Sequence, residues 1–463
     1  MFHPTVDITC YMRPGVRVHL AGIGGVSMCP LAEVLNGMGL IVQGSDMNDS
    51  ETVEHLRSQG IHVDIGHSAE NLRDCDLVIR TAAVKDENPE IAGAIARGIP
   101  VYERAQAWGA IMREYENALC ISGTHGKTTT TSMATHIFMA AEADPTVMIG
   151  GTLPLLRNTG YRVGQGDTII LESCEYCNSF LNFFPTVAVI LNVAADHLDF
   201  FKDLPDIEHS FRTFAELVPR DGGHVVANLD DSGARETLAG YEGSLLWFSI
   251  SDHTADCYAD NVAFQDGLPA FDVMIRGEKY AHVELKVGGT HNISNALAAA
   301  CSAWLLGISG TAVENGLDVF YGAARRYEFK GTYHGADVYD DYAHHPDELH
   351  ALLSMAKQRP YERIICAFQP HTYSRTKALF NNFVKELKTP DITVLAEIYA
   401  ARETNDLGIS SRDLAREIPG SVYCSSLEKV TNTLAELARP GDLILTVGAG
   451  DIYRAGENLV KLD

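Results

Sequence analysis

Strand and helix signals alternate along this 463-residue sequence, which predicts an α/β protein of three domains. Three observations carry that expectation. Short apolar runs are followed repeatedly by segments of helical periodicity, the pattern of parallel strands joined by crossover helices. Two strand-to-helix turns are glycine-rich, beginning at Gly22 and Gly123, as is common where a backbone approaches phosphate closely. The length, at roughly 100–200 residues per domain, allows two to four domains, and three is the natural reading.

Taken in order, residues 16–21 form an apolar strand that ends in Gly22-Ile23-Gly24-Gly25-Val26-Ser27, and a helical pattern runs over residues 28–38. A second short strand, residues 40–43, closes at Gly44-Ser45-Asp46. A strand, a glycine loop, a helix and a strand ending on an acid form a Rossmann-like unit. The dinucleotide fingerprint asks for a further glycine where the chain has Ser27, while Asp46 is spaced to reach a ribose. Taken alone, this segment is either a nucleotide-binding turn or a tight turn that merely packs. A helix over 52–59, a strand over 77–80 and a helix over 89–97 continue the domain.

A helix over roughly 105–116 leads to a fresh start, the buried strand 118–121, followed by Gly123-Thr124-His125-Gly126-Lys127-Thr128 and a helix through Ala141. Strands over 168–172 and 187–192 follow. After Arg325-Arg326 the alternation resumes with strands over 337–339, 363–368, 392–395, 422–424 and 443–447. The expected domains are residues 1–113, Rossmann-like; 114–322, a P-loop ATPase-type parallel sheet; and 323–463, again Rossmann-like α/β.

The chemistry concentrates at strand ends. Backbone amides of Gly123-x-x-Gly126-Lys127-Thr128 suit phosphate, with Lys127 for the outer phosphates and the Thr128 hydroxyl for Mg²⁺. The full Walker spacing would need glycine at Ile121, so the P-loop is shortened. Glu172-x-x-Glu175 and Asp196-His197-x-Asp199 close the next strands, and in parallel sheets such ends converge on ligand. Together with the P-loop they read as a metal site, carboxylate being the hard ligand and His the rarer one. Cys174-x-x-Cys177 has no second pair at zinc spacing and reads as unrelated to metal. Asp340-Asp341-Tyr342-Ala343-His344-His345-Pro346 and Gln369-Pro370-His371-x-Tyr373-x-Arg375 suggest a substrate pocket on the third domain.

Composition narrows the classes. Lys plus Arg total 36 against 61 Asp plus Glu, a formal charge of −25, which disfavours nucleic acid and anionic membranes as partners. Ten cysteines without a framework read as reduced thiols. No basic-then-apolar leader opens the chain and no run is long enough to span a bilayer, so a cytoplasmic protein without membrane insertion is expected.

These motifs, with His19-x-x-Gly22-Ile23-Gly24-Gly25-x-x-Met28, Asn192-x-x-x-Asp196-His197, His291-Asn292-x-x-Asn295 and Phe368-Gln369-Pro370-His371 in the same order, resemble the Mur ligase family over nearly the whole chain. The resemblance implies ATP-dependent amide-bond formation through an acyl phosphate, with ATP and two Mg²⁺ ions. The likeness is strongest to the member adding L-alanine to the lactyl carboxylate of UDP-N-acetylmuramate. The alternative within the family is the recycling ligase that attaches a ready-made tripeptide.

By the same resemblance, Gly22, Ile23, Gly24, Gly25, Ser45 and Asp46 take the UDP part. Gly123, Thr124, His125, Gly126, Lys127, Thr128 and Thr129 take the ATP phosphates, His291, Asn292 and Asn295 the adenine side, and Arg326 and Asp341 reach the nucleotide. Thr128, Glu175 and His197 hold metal, and His344, His371 and Arg375 surround the amino acid. Lys127, Glu175, His197, His344 and Arg375 are the expected catalytic set. The chain departs from the family where Cys174 and Cys177 stand for acids, Thr372 for an arginine and Arg402 for a glycine. Residues 203–219 lack the lysine that ligases for later stem-peptide positions often carbamylate. From outside the family, a nicotinamide oxidoreductase would leave Lys127, Glu175 and His197 unused, and a non-catalytic nucleotide switch would bind ATP without substrate-dependent phosphate release.

Overall fold

The computed structural model describes residues 7–25, 27–81, 84–197, 200–401 and 403–463. They form three sheets within two compact units. One unit comprises the chain through Tyr258 with Val273–Ala281 and Asn295–Gly316; the other comprises Ala259–Asp272, His282–Ser294 and Leu317–Asp463.

In the first unit, β1 (Arg17–Ala21), β2 (Ile41–Asp46), β3 (His62–Ile65), β4 (Leu77–Arg80) and β5 (Val101–Glu103) make a sheet of order β3-β2-β1-β4-β5. Every neighbouring pair in it is parallel. The order reverses between β1 and β4, so a crevice opens at the carboxyl end of β1, where α/β sheets bind ligand. The helix Pro89–Arg97 shows how sequence sets an element: Asn88 accepts from Glu90 N, Pro89 opens the first turn, and Gly98 ends the helix at φ 69°. Each of these residues suits that position.

The second sheet is built on β6 (Asn117–Ser122), β7 (Thr146–Leu153), β8 (Thr159–Arg162), β9 (Thr168–Glu172), β10 (Val187–Ile190), β11 (His224–Asn228) and β12 (Leu245–Ser249), in the order β12-β11-β10-β6-β9-β7-β8. All pairs are parallel except β7 with β8. β13 (Cys257–Gln265) joins β12 in parallel at Cys257 and Tyr258, and β14 (Leu268–Ile275) and β15 (Glu278–Glu284) follow it in the sheet order. The four residues of β10 are buried, as are Ala118–Ser122 of β6. A parallel strand covered on both faces needs such an unbroken apolar run. Beside β9, Phe180 stacks on Phe214 at 4.5 Å and 7° and meets Phe211 edge-on at 5.2 Å. These aromatic contacts, worth about 0.5–1.5 kcal/mol each beyond area burial, anchor the segment that follows Glu175.

The other unit carries the third sheet: β16 (Glu328–Tyr333), β17 (Ala336–Asp341), β18 (Arg363–Phe368), β19 (Ile392–Ala396), β20 (Val422–Cys424) and β21 (Asp442–Val447), ordered β16-β17-β21-β18-β19-β20. Only β16 with β17 is antiparallel. β21, at its middle, is buried throughout. Among the described residues no helix is long and apolar enough to cross a membrane.

Candidate active site

β6 delivers the chain into Gly123-Thr124-His125-Gly126, and Lys127 opens the helix Lys127–Ala140. Gly123 and Gly126 take φ of 146° and 86°, backbone that a side chain rarely tolerates. A Cβ on Gly126 would stand 2.7 Å from Asn295 Oδ1, and one on Gly123 2.9 Å from Leu191 Cβ. The loop is fastened from the end of β10. Thr124 N donates to the Asn192 carbonyl at 3.0 Å, His125 N donates to Asn192 Oδ1 at 2.8 Å, and Asn192 Nδ2 donates to the His125 carbonyl at 3.0 Å. Gly126 caps the helix with no side-chain acceptor, so first-turn N–H groups are available to an anion.

Charge is arranged around this loop. Lys127 Nζ donates to the carbonyls of Gly123 and Thr124 at 2.5 and 3.1 Å and to both oxygens of Glu175 at 2.9 and 3.2 Å. Glu175 is 2% exposed. Burial opposes the charge on Lys127, but Glu175, with Cys174 and Glu172 behind it, outweighs burial and holds the ammonium well above its ordinary value. Glu172 accepts from Thr128 Oγ1 at 3.1 Å and from Gly150 N at 2.6 Å. His197 Nε2 lies 3.7 Å from Glu175 Oε1 and 3.8 Å from Asp196 Oδ2, and its ring lies 4.7 Å from that of Tyr176. The ends of β6, β9 and β10 thus bring Lys127, Thr128, Glu172, Glu175 and His197 together.

Three non-glycine residues here have left-handed backbone: Cys177 and Asn178 at φ 54° and His197 at φ 53°. Each costs on the order of 1 kcal/mol or more and persists only where packing dictates it. Burial pushes the Cys174 thiol up to about 11, with Glu175 adding to the shift. A neutral thiol therefore stands beside the acids, and Glu172 and Glu175 supply the local negative charge. The donor set of one hydroxyl, two carboxylates and one imidazole fits Mg²⁺ through its oxygens, with His197 the softer member.

At the end of β1 the first glycine turn is fastened differently. Gly22 N and Ile23 N both donate to the Ser45 carbonyl at 2.9 Å, and Gly24 N donates to Asp46 Oδ2 at 2.9 Å. A Cβ on Gly24 would meet Asp46 Oδ2 and Val53 Cγ2 at 3.0 Å each.

The other unit gathers its own groups. Asp341 is pushed up to about 6 by burial, against the pull of Arg326 and the amides of Ala343 and Tyr327. Burial, with Arg326 adding to it, lowers His291 to about 4, a neutral imidazole near pH 7. The His344 and His371 ring centroids stand 6.0 Å apart, and Tyr399 stacks on His371 at 5.7 Å and 15°. Burial, then His344 and Arg375, lower His371 to about 4.

Three family descriptions match consecutive stretches: "Mur ligase family, catalytic domain" over residues 17–116, "Mur ligase middle domain" over 121–303, and "Mur ligase, glutamate ligase domain" over 325–450. The chain belongs to the Mur ligase family. Among Mur ligases it is 44% identical over 449 residues to the UDP-N-acetylmuramate--L-alanine ligase of Clostridium novyi, covering 96% of this chain and 97% of that one. The enzyme of the same name from Acetivibrio thermocellus is 43% identical over 450 residues, covering 96% of each. The crystal structure of UDP-N-acetylmuramate-alanine ligase from Thermotoga maritima superposes with a TM-score of 0.80 at 29% identity, over 96% of this chain and 98% of that one. A murein peptide ligase from Psychrobacter arcticus, at TM-score 0.73 and 24% identity over 96% and 98% of the two chains, shares the fold.

Within this Mur ligase the residues anticipated at the P-loop form the turn from β6 into the helix Lys127–Ala140, and Thr130 Oγ1 donates to Asn295 Oδ1 at 3.1 Å. Asp199 and Arg402 lie outside the described residues. Sequence reading gave no role to four residues. Asn192 appeared in a motif, yet its work in pinning the loop is visible only once β10 lies beside β6. Buried Glu90 and partly exposed His67 meet under the β2 end, Nδ1 2.9 Å from Oε2, and nothing in their spacing announces it. Arg104, at the start of the helix Arg104–Met112, has Cys174 and Glu103 as its electrostatic neighbours.

Proposed function

We propose that this Mur ligase joins L-alanine to the lactyl carboxylate of UDP-N-acetylmuramate, converting ATP to ADP and phosphate, as a step of peptidoglycan synthesis. The observation that carries the reading is the fastened P-loop with Lys127 set between its own loop carbonyls and Glu175. That arrangement suits phosphoryl transfer, where positioning and charge stabilisation do most of the work. The 44% identity over 96% of the chain to alanine-adding relatives supports the choice of amine and acceptor.

In this reading residues 1–113 hold the UDP part, with Gly22 to Gly25, Ser45 and Asp46 lining the crevice. Residues 114–322 hold ATP, and 323–463 serve the amino acid. The backbone amides of Gly123 to Thr129 cradle the phosphates, and Lys127 turns from Glu175 to the β and γ phosphates. Thr128, Glu175 and His197 would hold two Mg²⁺ ions, which when bound would supply positive charge against the phosphates. His291, Asn292 and Asn295 serve the adenine side, and Arg326 and Asp341 reach the nucleotide. His344, His371 and Arg375 orient the alanine so that its amine meets the activated carbonyl. An acyl phosphate hydrolyses readily, so these groups must also exclude water. All ten cysteines are free thiols, which suits action in the cytoplasm.

The test is an amine panel. With ATP, Mg²⁺ and UDP-N-acetylmuramate, phosphate release should require L-alanine, and mass spectrometry should show a product heavier by one alanine residue. Release with a murein tripeptide and none with alanine would move the assignment to the recycling ligase. Release without any amine acceptor would overturn both.

A further inference from the structure

The helix Arg104–Met112 leads from the first sheet to the second, and its first residue is a cation that the phosphate chemistry above leaves unused. Arg104 follows directly on β5, at the carboxyl end of that strand. Gln106 Oε1 accepts from Glu103 N at 2.8 Å and fixes the start of the helix. Three contacts then lay the helix along the chain that leaves the end of β9. Arg104 has Cys174 as an electrostatic neighbour. Gly109 is so close to the Asn182 carbonyl that no Cβ would fit between them. The Arg113 guanidinium lies 3.9 Å from the centroid of the Phe184 ring. The two stretches therefore run side by side, 104 to 113 against 174 to 184. This holds Arg104 at the level of Cys174, whose own electrostatic neighbours are Glu175, Lys127 and Glu172.

Arg104 has no counter-ion there. Among the described residues no hydrogen bond or ion pair reaches its part-buried guanidinium. Glu103, next to it in the chain, accepts from Arg80 Nε at 2.8 Å, and Arg80 also holds Asp86. Cys174 is a thiol, neutral at pH 7. Burial pulls the guanidinium below its ordinary value, and Cys174 and Glu103 do not make up the difference. A guanidinium withdrawn from water without an acceptor is destabilising. Its rigid fork of N–H donors matches a planar, two-oxygen anion.

The position says which anion. Both Arg104 and Cys174 stand just past the carboxyl ends of parallel strands, where α/β sheets take ligand. Ligation brings together two negative groups, a carboxylate carried by the sugar nucleotide and the γ-phosphate of ATP. Lys127 belongs to the phosphate loop. Arg104 stands between that loop and the first sheet, on the side from which the carboxylate arrives, and Arg pairs with carboxylate through two parallel hydrogen bonds.

We propose that Arg104 is a substrate-contacting residue that receives the carboxylate of the sugar nucleotide and holds it against the γ-phosphate. The inference rests on the reading that this chain activates the lactyl carboxylate of UDP-N-acetylmuramate. One carboxylate oxygen forms the new bond to the γ-phosphorus while the other stays on the guanidinium. The bond from the γ-phosphorus to ADP breaks, its electron pair leaves with ADP, and no proton moves.

The experiment is calorimetric titration of the full chain with UDP-N-acetylmuramate and with UDP-N-acetylglucosamine, which lacks the lactyl carboxylate. Wild type should bind the first about 10- to 100-fold more tightly, the range for hydrogen bonds to a charged group. Arg104→Met should bring the two affinities within about twofold of each other by weakening UDP-N-acetylmuramate alone. If that variant fails to fold, Arg104→Gln, which stays polar and loses the charge, should lose the preference likewise. Equal binding of the two sugar nucleotides by wild type would overturn the inference and leave the proposed function standing. So would variants in which both affinities fall together with the ratio unchanged, the signature of a merely structural role. A variant that instead weakens a non-hydrolysable ATP analogue, with the ratio kept, would put the guanidinium on phosphate and also overturn the inference. Failure of wild type to bind either sugar nucleotide would overturn the proposed function beneath it.

Discussion

At the end of β1 the glycine turn is fastened by the Ser45 carbonyl and the Asp46 carboxylate. At the end of β6 the glycine turn is fastened by Asn192 and surrounded by Lys127, Glu172 and Glu175. The backbone problem is the same in both: a strand must turn sharply into a helix through glycines with positive φ. The side chains differ because the tasks differ. The first turn carries a carboxylate on its Gly24 amide, and it suits a group that binds and stays. The second couples a buried ammonium to a buried carboxylate, and those charges can re-pair when phosphate arrives. A glycine-rich turn therefore locates an anion site, while the neighbouring charges say whether the anion is held or transformed.

The largest effect that would sharpen this contrast is in Lys127→Ala. Phosphate release should fall about 10³-fold, the scale for losing a preorganised charge at a transferring group, while calorimetric binding of UDP-N-acetylmuramate stays within about twofold, since the lost contacts all lie at the second turn. Near-normal turnover would break the assignment of ATP to β6. Gly126→Ala comes next. Its φ of 86° and the 2.7 Å approach of Asn295 Oδ1 force the loop to move, and a shift near 1 Å costs on the order of 10²-fold in kcat/KM. Gly24→Ala meets Asp46 and Val53 at 3.0 Å, and it should raise KM for the UDP substrate about tenfold while KM for ATP is unchanged. Equal effects on both substrates would show the two turns are not separable.

A smaller effect concerns pH. The folded Glu90 carboxyl, at about 2, sits below its usual 4.5. Its contribution is therefore fully present above pH 4.5 and is lost as pH falls toward 2. Urea unfolding should show a gap between wild type and Glu90→Gln that is widest near pH 7 and narrows by about 1 kcal/mol by pH 3.5. A gap that stays constant or grows on acidification would contradict the ionised Glu90 carboxylate.

Much of this was legible in the sequence because periodicity and glycine punctuation are local. The strand over 16–21 appears as Arg17–Ala21, and the helix running through Ala141 appears as Lys127–Ala140. The helix expected over 105–116 ends at Met112, and Asn117 already belongs to β6; the chain needs the intervening residues to turn between helix and strand. The antiparallel edges, β7 with β8 and β16 with β17, were missed because pairing direction is a property of two distant segments. The same reason hid Glu90. Its partners Ser45, Asn71 and His67 lie 45, 19 and 23 residues away, and only the folded sheet brings them under one carboxylate.

The central claim is that the second turn activates a carboxylate as an acyl phosphate. The direct measurement uses UDP-N-acetylmuramate carrying ¹⁸O in its lactyl carboxylate, with ATP, Mg²⁺ and L-alanine. The carboxylate oxygen that attacks the γ-phosphate must leave with it, so one ¹⁸O should appear in the released phosphate. Label found in AMP, or phosphate released without label while the alanyl product forms, would contradict the claim.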